Sequence, residues 1–71
     1  MNIQEKIEIK DDAIYTPAEV AEIFNLSEQT VRRYVNRGII RGFQVGDRKI
    51  RIRGKDINNY IKQQIRKQYN H

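Results

Sequence analysis

The first strong pattern in the chain is an apolar stripe at helical spacing, formed by Val20, Ala21, Ile23 and Phe24. Thr16 precedes it with a hydroxyl suited to cap a helix, and Pro17 has the fixed backbone angle of a first helical turn. Glu19 stands three residues after Thr16 and completes a capping box. The pattern therefore predicts a helix that begins directly after Thr16.

A second helix is predicted from Ser27 to Arg37. Ser27 offers another capping hydroxyl, and Gly38 is suited to end the helix in the left-handed conformation. About three residues separate the two helices, which is the usual turn length of a helix-turn-helix. Asn25 in this turn tolerates a left-handed backbone. The two helices are therefore predicted to form a helix-turn-helix.

Beyond the second helix the apolar period changes from helical to two. Apolar residues alternate with polar or basic ones in two short runs, at Phe43, Val45, Ile50 and Ile52. Residues 46–48 lie between the runs and are typical of a turn. The pattern predicts a β-hairpin from Gly42 to Arg53 with one apolar and one basic face. Phe43 is accordingly expected in the core.

Apolar residues return to helical spacing near the end of the chain, at Ile57, Tyr60, Ile61 and Ile65. This predicts a third helix from Lys55 onward whose stripe closes the core, with Tyr34 and Tyr60 inside rather than on the surface. Residues 1–14 show no sustained period and are interpreted as an arm, either flexible or an edge strand. Residues 15–69 then form a small α+β winged helix-turn-helix: a two-helix helix-turn-helix, a β-hairpin wing and a C-terminal helix.

The charge of the chain is strongly uneven along its length. Residues 1–28 hold two lysines and seven acidic residues, a net charge of −5, whereas residues 29–71 hold twelve Lys or Arg and two Asp, a net charge of +10. A basic footprint confined to one part of a chain is the first sign of a nucleic-acid binder. A merely solvated basic surface is the alternative.

Composition argues against several other classes of protein. A chain of 71 residues buries only a small core, so a deep catalytic cavity is not expected. The chain has no cysteine and its one histidine is the terminal His71, which leaves no constellation for catalysis or for a metal. We therefore expect no enzyme activity, no cofactor and no small-molecule ligand. The absence of cysteine and of long apolar runs predicts a cytoplasmic protein without a membrane partner.

Several stretches resemble the excisionase family of winged helix-turn-helix domains, a relative of the MerR-type DNA-binding head. They are YTPAEVA at 15–21, LSEQTVRRY at 26–34, and Val45-Gly46 with Ile50-Arg51-Ile52 before Asp56-Ile57. The resemblance covers residues 15–61. Asn25 stands where many relatives have glycine, and the turn after Gly46 is one residue longer than usual. The resemblance implies a bacterial or phage protein that is associated with the nucleoid when bound to DNA.

The N-terminal part of a recognition helix faces base edges in the major groove. The predicted contacts from the second helix are Ser27, Glu28, Gln29, Thr30, Arg32, Arg33 and Arg37. Gln29 suits adenine and Arg33 suits guanine. Glu28 serves either cytosine or only the helix dipole.

The hairpin is expected to bind the DNA backbone beside the recognition helix. Its basic residues are Arg48, Lys49, Arg51 and Arg53. Such residues neutralise phosphates or reach into the minor groove, and these contacts set affinity and register rather than sequence preference. The alternative is that they only protect an exposed strand edge against aggregation.

These features predict sequence-specific binding of double-stranded DNA. The favoured role is that of a recombination directionality factor of a mobile element, which assists an integrase; a compact transcriptional regulator bound to operator DNA is the alternative. A protein-interaction adaptor is a more distant one. An integrase or recombinase and further copies of the protein, bound cooperatively on DNA, are the other partners considered.

Overall fold

A computed structural model describes residues 8–69, which form three helices and three short strands. Strand β1 is Ile14–Tyr15, α1 is Pro17–Phe24, α2 is Glu28–Asn36, β2 is Phe43–Val45, β3 is Lys49–Arg53 and α3 is Gly54–Tyr69. The strands form one antiparallel sheet in the order β1-β3-β2. The predicted winged helix-turn-helix of the α+β class is confirmed. Within residues 8–69, none of the helices has the length and apolar content needed to cross a bilayer.

Both helices of the helix-turn-helix begin where the sequence predicts. The Thr16 Oγ1 accepts a hydrogen bond from the N–H of Glu19 at 3.1 Å, and the Glu19 carboxylate accepts one from the N–H of Thr16 at 2.8 Å. The capping box is therefore complete. The Ser27 Oγ accepts a hydrogen bond from the N–H of Thr30 at 3.0 Å and caps α2 in the same way.

The turn between α1 and α2 depends on a left-handed residue. Asn25 has φ 57° and ψ 46°. The N–H of Leu26 then donates to the carbonyl of Ala21 at 2.8 Å, which satisfies one of the free carbonyls at the end of α1. Gly38, with φ 76°, ends α2 in the same conformation. The direction of the chain is thus fixed at both ends of α2.

The core lies between the three helices and one face of the sheet. Its buried residues are Val20, Ala21, Val31, Ile40, Ile50, Ile52 and Ile57. Tyr34 and Tyr60 pack against this cluster, as predicted. Ile65 is 52% exposed, so the expectation that it closes the core is wrong. The stripe of α3 reaches the core only through Ile57, Tyr60 and Ile61.

The hairpin forms where the sequence predicts it, but its faces differ from those expected. Phe43 pairs with Arg51, and Val45 pairs with Lys49. Residues directly opposite each other share a face of the sheet, so the apolar residues of β2 lie beside the basic residues of β3. The expectation of one apolar and one basic face is therefore wrong. Phe43 is 41% exposed and does not belong to the core, because the turn at residues 46–48 sets this register.

Residues 9–13 pack against the first turn of α3. The N–H of Gly54 donates to the carbonyl of Ala13 at 2.8 Å, and the N–H of Lys55 donates to the carbonyl of Asp11 at 3.1 Å. A helix N-terminus carries four N–H groups without a partner in the helix. Two of those of α3 are satisfied by the preceding segment of the chain.

Asn58 and Gly54 complete this packing. The Asn58 Nδ2 donates to the carbonyl of Ile9 at 3.0 Å, and a Cβ placed on Gly54 would lie 1.7 Å from the carbonyl oxygen of Lys10. Only glycine allows so close an approach of the backbone. Residues 1–7 of the arm considered from the sequence lie outside the described residues, and a domain boundary at residue 15 stays a prediction.

Candidate nucleic-acid interface

One face of α2 is turned away from the core and carries polar side chains. Val31 is buried on the inner side of the helix. The exposed residues of α2 are Glu28, Gln29, Arg32, Arg33 and Asn36. Their spacing of three and four residues places them on adjacent turns of one helix face. This face offers two guanidinium groups, two amides and one carboxylate to a ligand.

The hydroxyls at the start of α2 are engaged within the helix. The Ser27 Oγ lies 2.7 Å from the Thr30 Oγ1, in addition to its bond with the Thr30 N–H. An Nη of Arg33 reaches the same Thr30 hydroxyl at 3.4 Å. Ser27 and Thr30 therefore serve the helix cap. Gln29 and Arg33, also predicted to contact bases, are both exposed.

Glu28 and Arg32 form an ion pair along the exposed side of α2. The Arg32 Nη2 lies 2.7 Å from the Glu28 Oε2, and the two side chains are about half exposed. An exposed pair of this spacing contributes only about 0.3–0.5 kcal/mol, so it opens at little cost. The pair therefore leaves Arg32 able to exchange Glu28 for another anion. Glu28 lies in the first turn of α2, where its charge also favours the helix dipole.

The face of the sheet opposite the core, called here the outer sheet face, combines basic and apolar residues. Its central row on β3 is Lys49, Arg51 and Arg53. Each of these is paired with an apolar residue of a neighbouring strand, and the whole set is Ile14, Phe43, Val45, Lys49, Arg51 and Arg53. None of the six is acidic. The outer sheet face is therefore a positively charged surface with apolar edges.

The basic residues of the hairpin are held in different ways. Arg48 lies in the exposed turn with φ 69°, a left-handed conformation that costs an L-residue about 1–2 kcal/mol. Lys49 is exposed. The Arg51 Nη1 donates to the carbonyl of Ile50 at 2.7 Å, so its side chain lies along the strand.

Arg53 has a partner within the protein. Its Nε donates to the Asp56 Oδ2 at 2.9 Å, and its Nη2 approaches the Asp56 Oδ1 at 3.4 Å. This hydrogen bond and the charge of Asp56 raise the pKa of Arg53 above its ordinary value. Asp56 is only 7% exposed, so Arg53 compensates a buried charge. A contact of Arg53 with DNA stays a prediction.

The wing begins in close contact with α2. A Cβ placed on Gly42 would lie 2.8 Å from the Val35 Cγ1 and 3.2 Å from the carbonyl oxygen of Arg51. Glycine therefore lets the start of the hairpin approach α2 closely. This contact ties the start of β2 to the side of α2.

Three acidic residues lie together around α1 instead. A shallow recess between the N-terminal segment and α1 is lined by Glu8, Tyr15, Glu19, Glu22 and Ile23. The field of these carboxylates repels a polyanion, whereas that of α2 and the hairpin attracts one. The side of the molecule around this recess is therefore less favourable for nucleic acid than α2 and the hairpin.

Residues 14–65 match a family model described as a helix-turn-helix domain. The chain belongs to this family. The match extends from β1 into α3 and confirms the resemblance to excisionase-like proteins. DNA binding by the helix-turn-helix domain follows from this membership. No curated protein and no solved structure matches the chain.

The sequence alone missed some residues of this helix-turn-helix domain. Asn36 stands seven residues after Gln29, which places it on the same face of α2, and the spacing alone was sufficient to find it. Phe43 and Val45 were assigned to the wrong face because the register of the hairpin was not known. Asp56 was missed as the partner of Arg53 because nothing in its local pattern marks it as buried.

Proposed function

We propose that this helix-turn-helix domain binds double-stranded DNA sequence-specifically, with α2 in the major groove and the hairpin on the adjacent backbone. The exposed face of α2 carries the proposal. The amide of Gln29 has the donor and acceptor that adenine presents, and the guanidinium of Arg33 matches guanine. Asn36 extends this face towards the C-terminal end of α2.

The hairpin supplies the contacts that do not depend on sequence. Arg48, Lys49 and Arg51 extend from the turn and from β3, and Arg32 on α2 adds a further cation. Each neutralised phosphate releases counterions, so binding weakens as salt rises. Four such contacts give a slope of about −3 to −4 for log K against log salt concentration.

Within this function, the role that we favour is that of a recombination directionality factor. The likeness to excisionases supports it. Such a factor binds at the attachment sites of a mobile element, bends the DNA and assists the integrase in excision. Copies bound side by side, and the integrase itself, are the protein partners that we propose.

Selection from random duplexes, followed by fluorescence anisotropy, tests the DNA-binding mode. We expect a recovered site that is bound more tightly than scrambled duplex, with an affinity that falls roughly 100-fold between about 50 and 200 mM salt. Lys49→Ala should lower the magnitude of the salt slope by about 0.9. Lys10→Ala removes the same positive charge from the acidic N-terminal segment and should leave the slope unchanged. A salt-independent affinity, or equal effects of the two variants, contradicts the binding mode.

Mapping the selected site in the source genome tests the role. Location within recombination attachment sites, together with a higher yield of excision when the protein is added to the integrase, supports the directionality factor. Location at promoters, with altered transcription and unchanged excision, identifies a transcriptional regulator instead.

A further inference from the structure

We infer that Phe43 and Val45 bind the deoxyribose walls of the minor groove, where the duplex passes from α2 to the hairpin. It adds an apolar contact to the ionic contacts already proposed for the hairpin. It rests on the proposed function, since it concerns the same DNA.

The position of Phe43 follows from its neighbour in the chain. Gly42 packs on Val35 of α2, and Phe43 is the next residue, at the first position of β2. Phe43 therefore lies where the wing joins the segment that contacts α2, and its side chain lines a recess with Arg53 and Asp56. A duplex that contacts both elements passes this junction.

Exposure sets these two apolar residues apart from the core. Phe43 and Val45 are 41% and 45% exposed, and β2 is an edge strand of the sheet. Exposed apolar residues on an edge strand promote aggregation, and polar residues are the usual choice there. Because the core does not include either side chain, folding alone does not account for them.

The surroundings of the pair match the chemistry of the DNA backbone. Phe43 stands directly opposite Arg51, and Val45 stands directly opposite Lys49. Phosphates alternate along a strand of DNA with sugars whose C–H groups are apolar. Cations beside apolar side chains therefore complement phosphates beside sugars.

The charge of the outer sheet face favours DNA over a protein with an apolar binding surface. Three basic residues form its central row, and the nearly buried Asp56 beside it is paired with Arg53. A protein partner with an ordinary apolar patch would have to desolvate Lys49 and Arg51 without neutralising them. DNA provides the neutralising charge and the apolar sugars in one ligand.

Salt dependence distinguishes an apolar contact from an ionic one. The test measures the affinity for the selected duplex of the wild type, Phe43→Ala, Val45→Thr and Lys49→Ala at several salt concentrations. Phe43→Ala is expected to weaken binding about tenfold at every salt concentration with an unchanged slope, because burial of apolar surface releases no counterions. Val45→Thr should show a smaller loss of the same kind, while Lys49→Ala lowers the slope by about 0.9.

Ile65→Ala is the matched control, because Ile65 is a similarly exposed apolar residue on α3. It should bind DNA as the wild type does. Thermal unfolding shows whether each variant is folded. If Phe43→Ala does not fold, the affinity and salt slope of Val45→Thr test the apolar contact by the same criteria. Wild-type affinity of the Phe43 variant, a reduced salt slope for it, or an equal loss for Ile65→Ala overturns the inference.

Failure of this inference differs from failure of the proposed function. If the wild type binds no duplex, or if Lys49→Ala has no effect on the slope, the proposed binding mode fails. If the wild type and Lys49→Ala behave as expected but Phe43→Ala binds DNA with wild-type affinity, only the apolar contact is refuted.

Discussion

The guanidinium of Arg53 lies against the carboxylate of Asp56, with 2.9 Å between the Arg53 Nε and the Asp56 Oδ2. The two residues join the end of β3 to the first turn of α3. Asp56 is nearly buried, and a buried carboxylate without a partner destabilises the folded state. The outermost basic residue of the β3 row thus has a structural role that its neighbours do not share.

Arg53→Ala is therefore expected to lower the thermal midpoint of unfolding clearly, and Arg51→Ala to change it little. Both substitutions remove one positive charge from β3, so each serves as the control for the other. Circular dichroism during thermal unfolding measures the difference. Equal midpoints for the two variants would show that the contact with Asp56 contributes nothing to stability.

Residues of α2 and residues of the wing should differ in what they determine. Gln29→Ala or Arg33→Ala is expected to cost about 1–3 kcal/mol on the preferred duplex and to relax preference at one base pair. Arg51→Ala should weaken binding to all duplexes similarly. Titrations with a set of single-base variants of the site measure this. If Arg51→Ala relaxed the preference at one base pair while Gln29→Ala and Arg33→Ala weakened all duplexes similarly, the roles assigned to the helix and the wing would be wrong.

Gly54→Ala should destabilise the fold because its Cβ would overlap the carbonyl oxygen of Lys10. Moving residues 9–13 away breaks the hydrogen bonds to the first turn of α3, and we expect a loss of about 2–4 kcal/mol in the free energy of unfolding. Gly46→Ala is the control, since a Cβ there meets no atom within 4 Å. It should cost about 1–2 kcal/mol through its φ of 57° alone. Chemical denaturation of both variants compares the two losses.

Arg48→Gly should separate stability from binding. Glycine relieves the left-handed conformation of Arg48, so the free energy of unfolding is expected to rise by about 0.5–1 kcal/mol. DNA affinity should fall, with a salt slope reduced by about 0.9. Asp47→Gly, in the same turn but without a positive φ, should not stabilise the protein. A less stable Arg48→Gly protein would indicate that the side chain also supports the turn.

Tyr60 should make stability depend on alkaline pH. Burial raises the pKa of Tyr60 above its ordinary value of 10.0, and the charge of Tyr34 raises it further. The folded state therefore favours the neutral phenol, and this stabilisation is present below pH 10 and is lost as pH rises through the raised pKa. As the pH rises from about 10 through this raised pKa, the wild type should lose more stability than Tyr60→Phe, which keeps the ring but does not titrate. Parallel losses in the two proteins would contradict this.

Local signals in the sequence predicted the elements well. The caps at Thr16 and Ser27 and the left-handed residues Asn25 and Gly38 act on their nearest neighbours, so their residue types alone fix the ends of the helices. The charge separation was visible for the same reason, because composition needs no knowledge of the fold.

Contacts between distant segments could not be predicted in this way. The approach of Lys10 to Gly54 and the pairing of Arg53 with Asp56 depend on how β3 leads into α3. Alternation along β2 showed that Phe43 and Val45 share a face, but not which face it was. That choice depends on the partner strand.

The turn at residues 46–48 sets the pairing of β2 with β3, and thereby the face of the sheet on which Phe43 and Val45 lie. Because side chains alternate along a strand, one residue fewer in this turn would place Gln44 outside and turn Phe43 and Val45 towards the core. We therefore expect turn length and the apolar pattern of β2 to change together, because an insertion or deletion of one residue exchanges the two faces of the strand. Relatives whose turns differ by one residue should differ in the phase of their apolar positions as well.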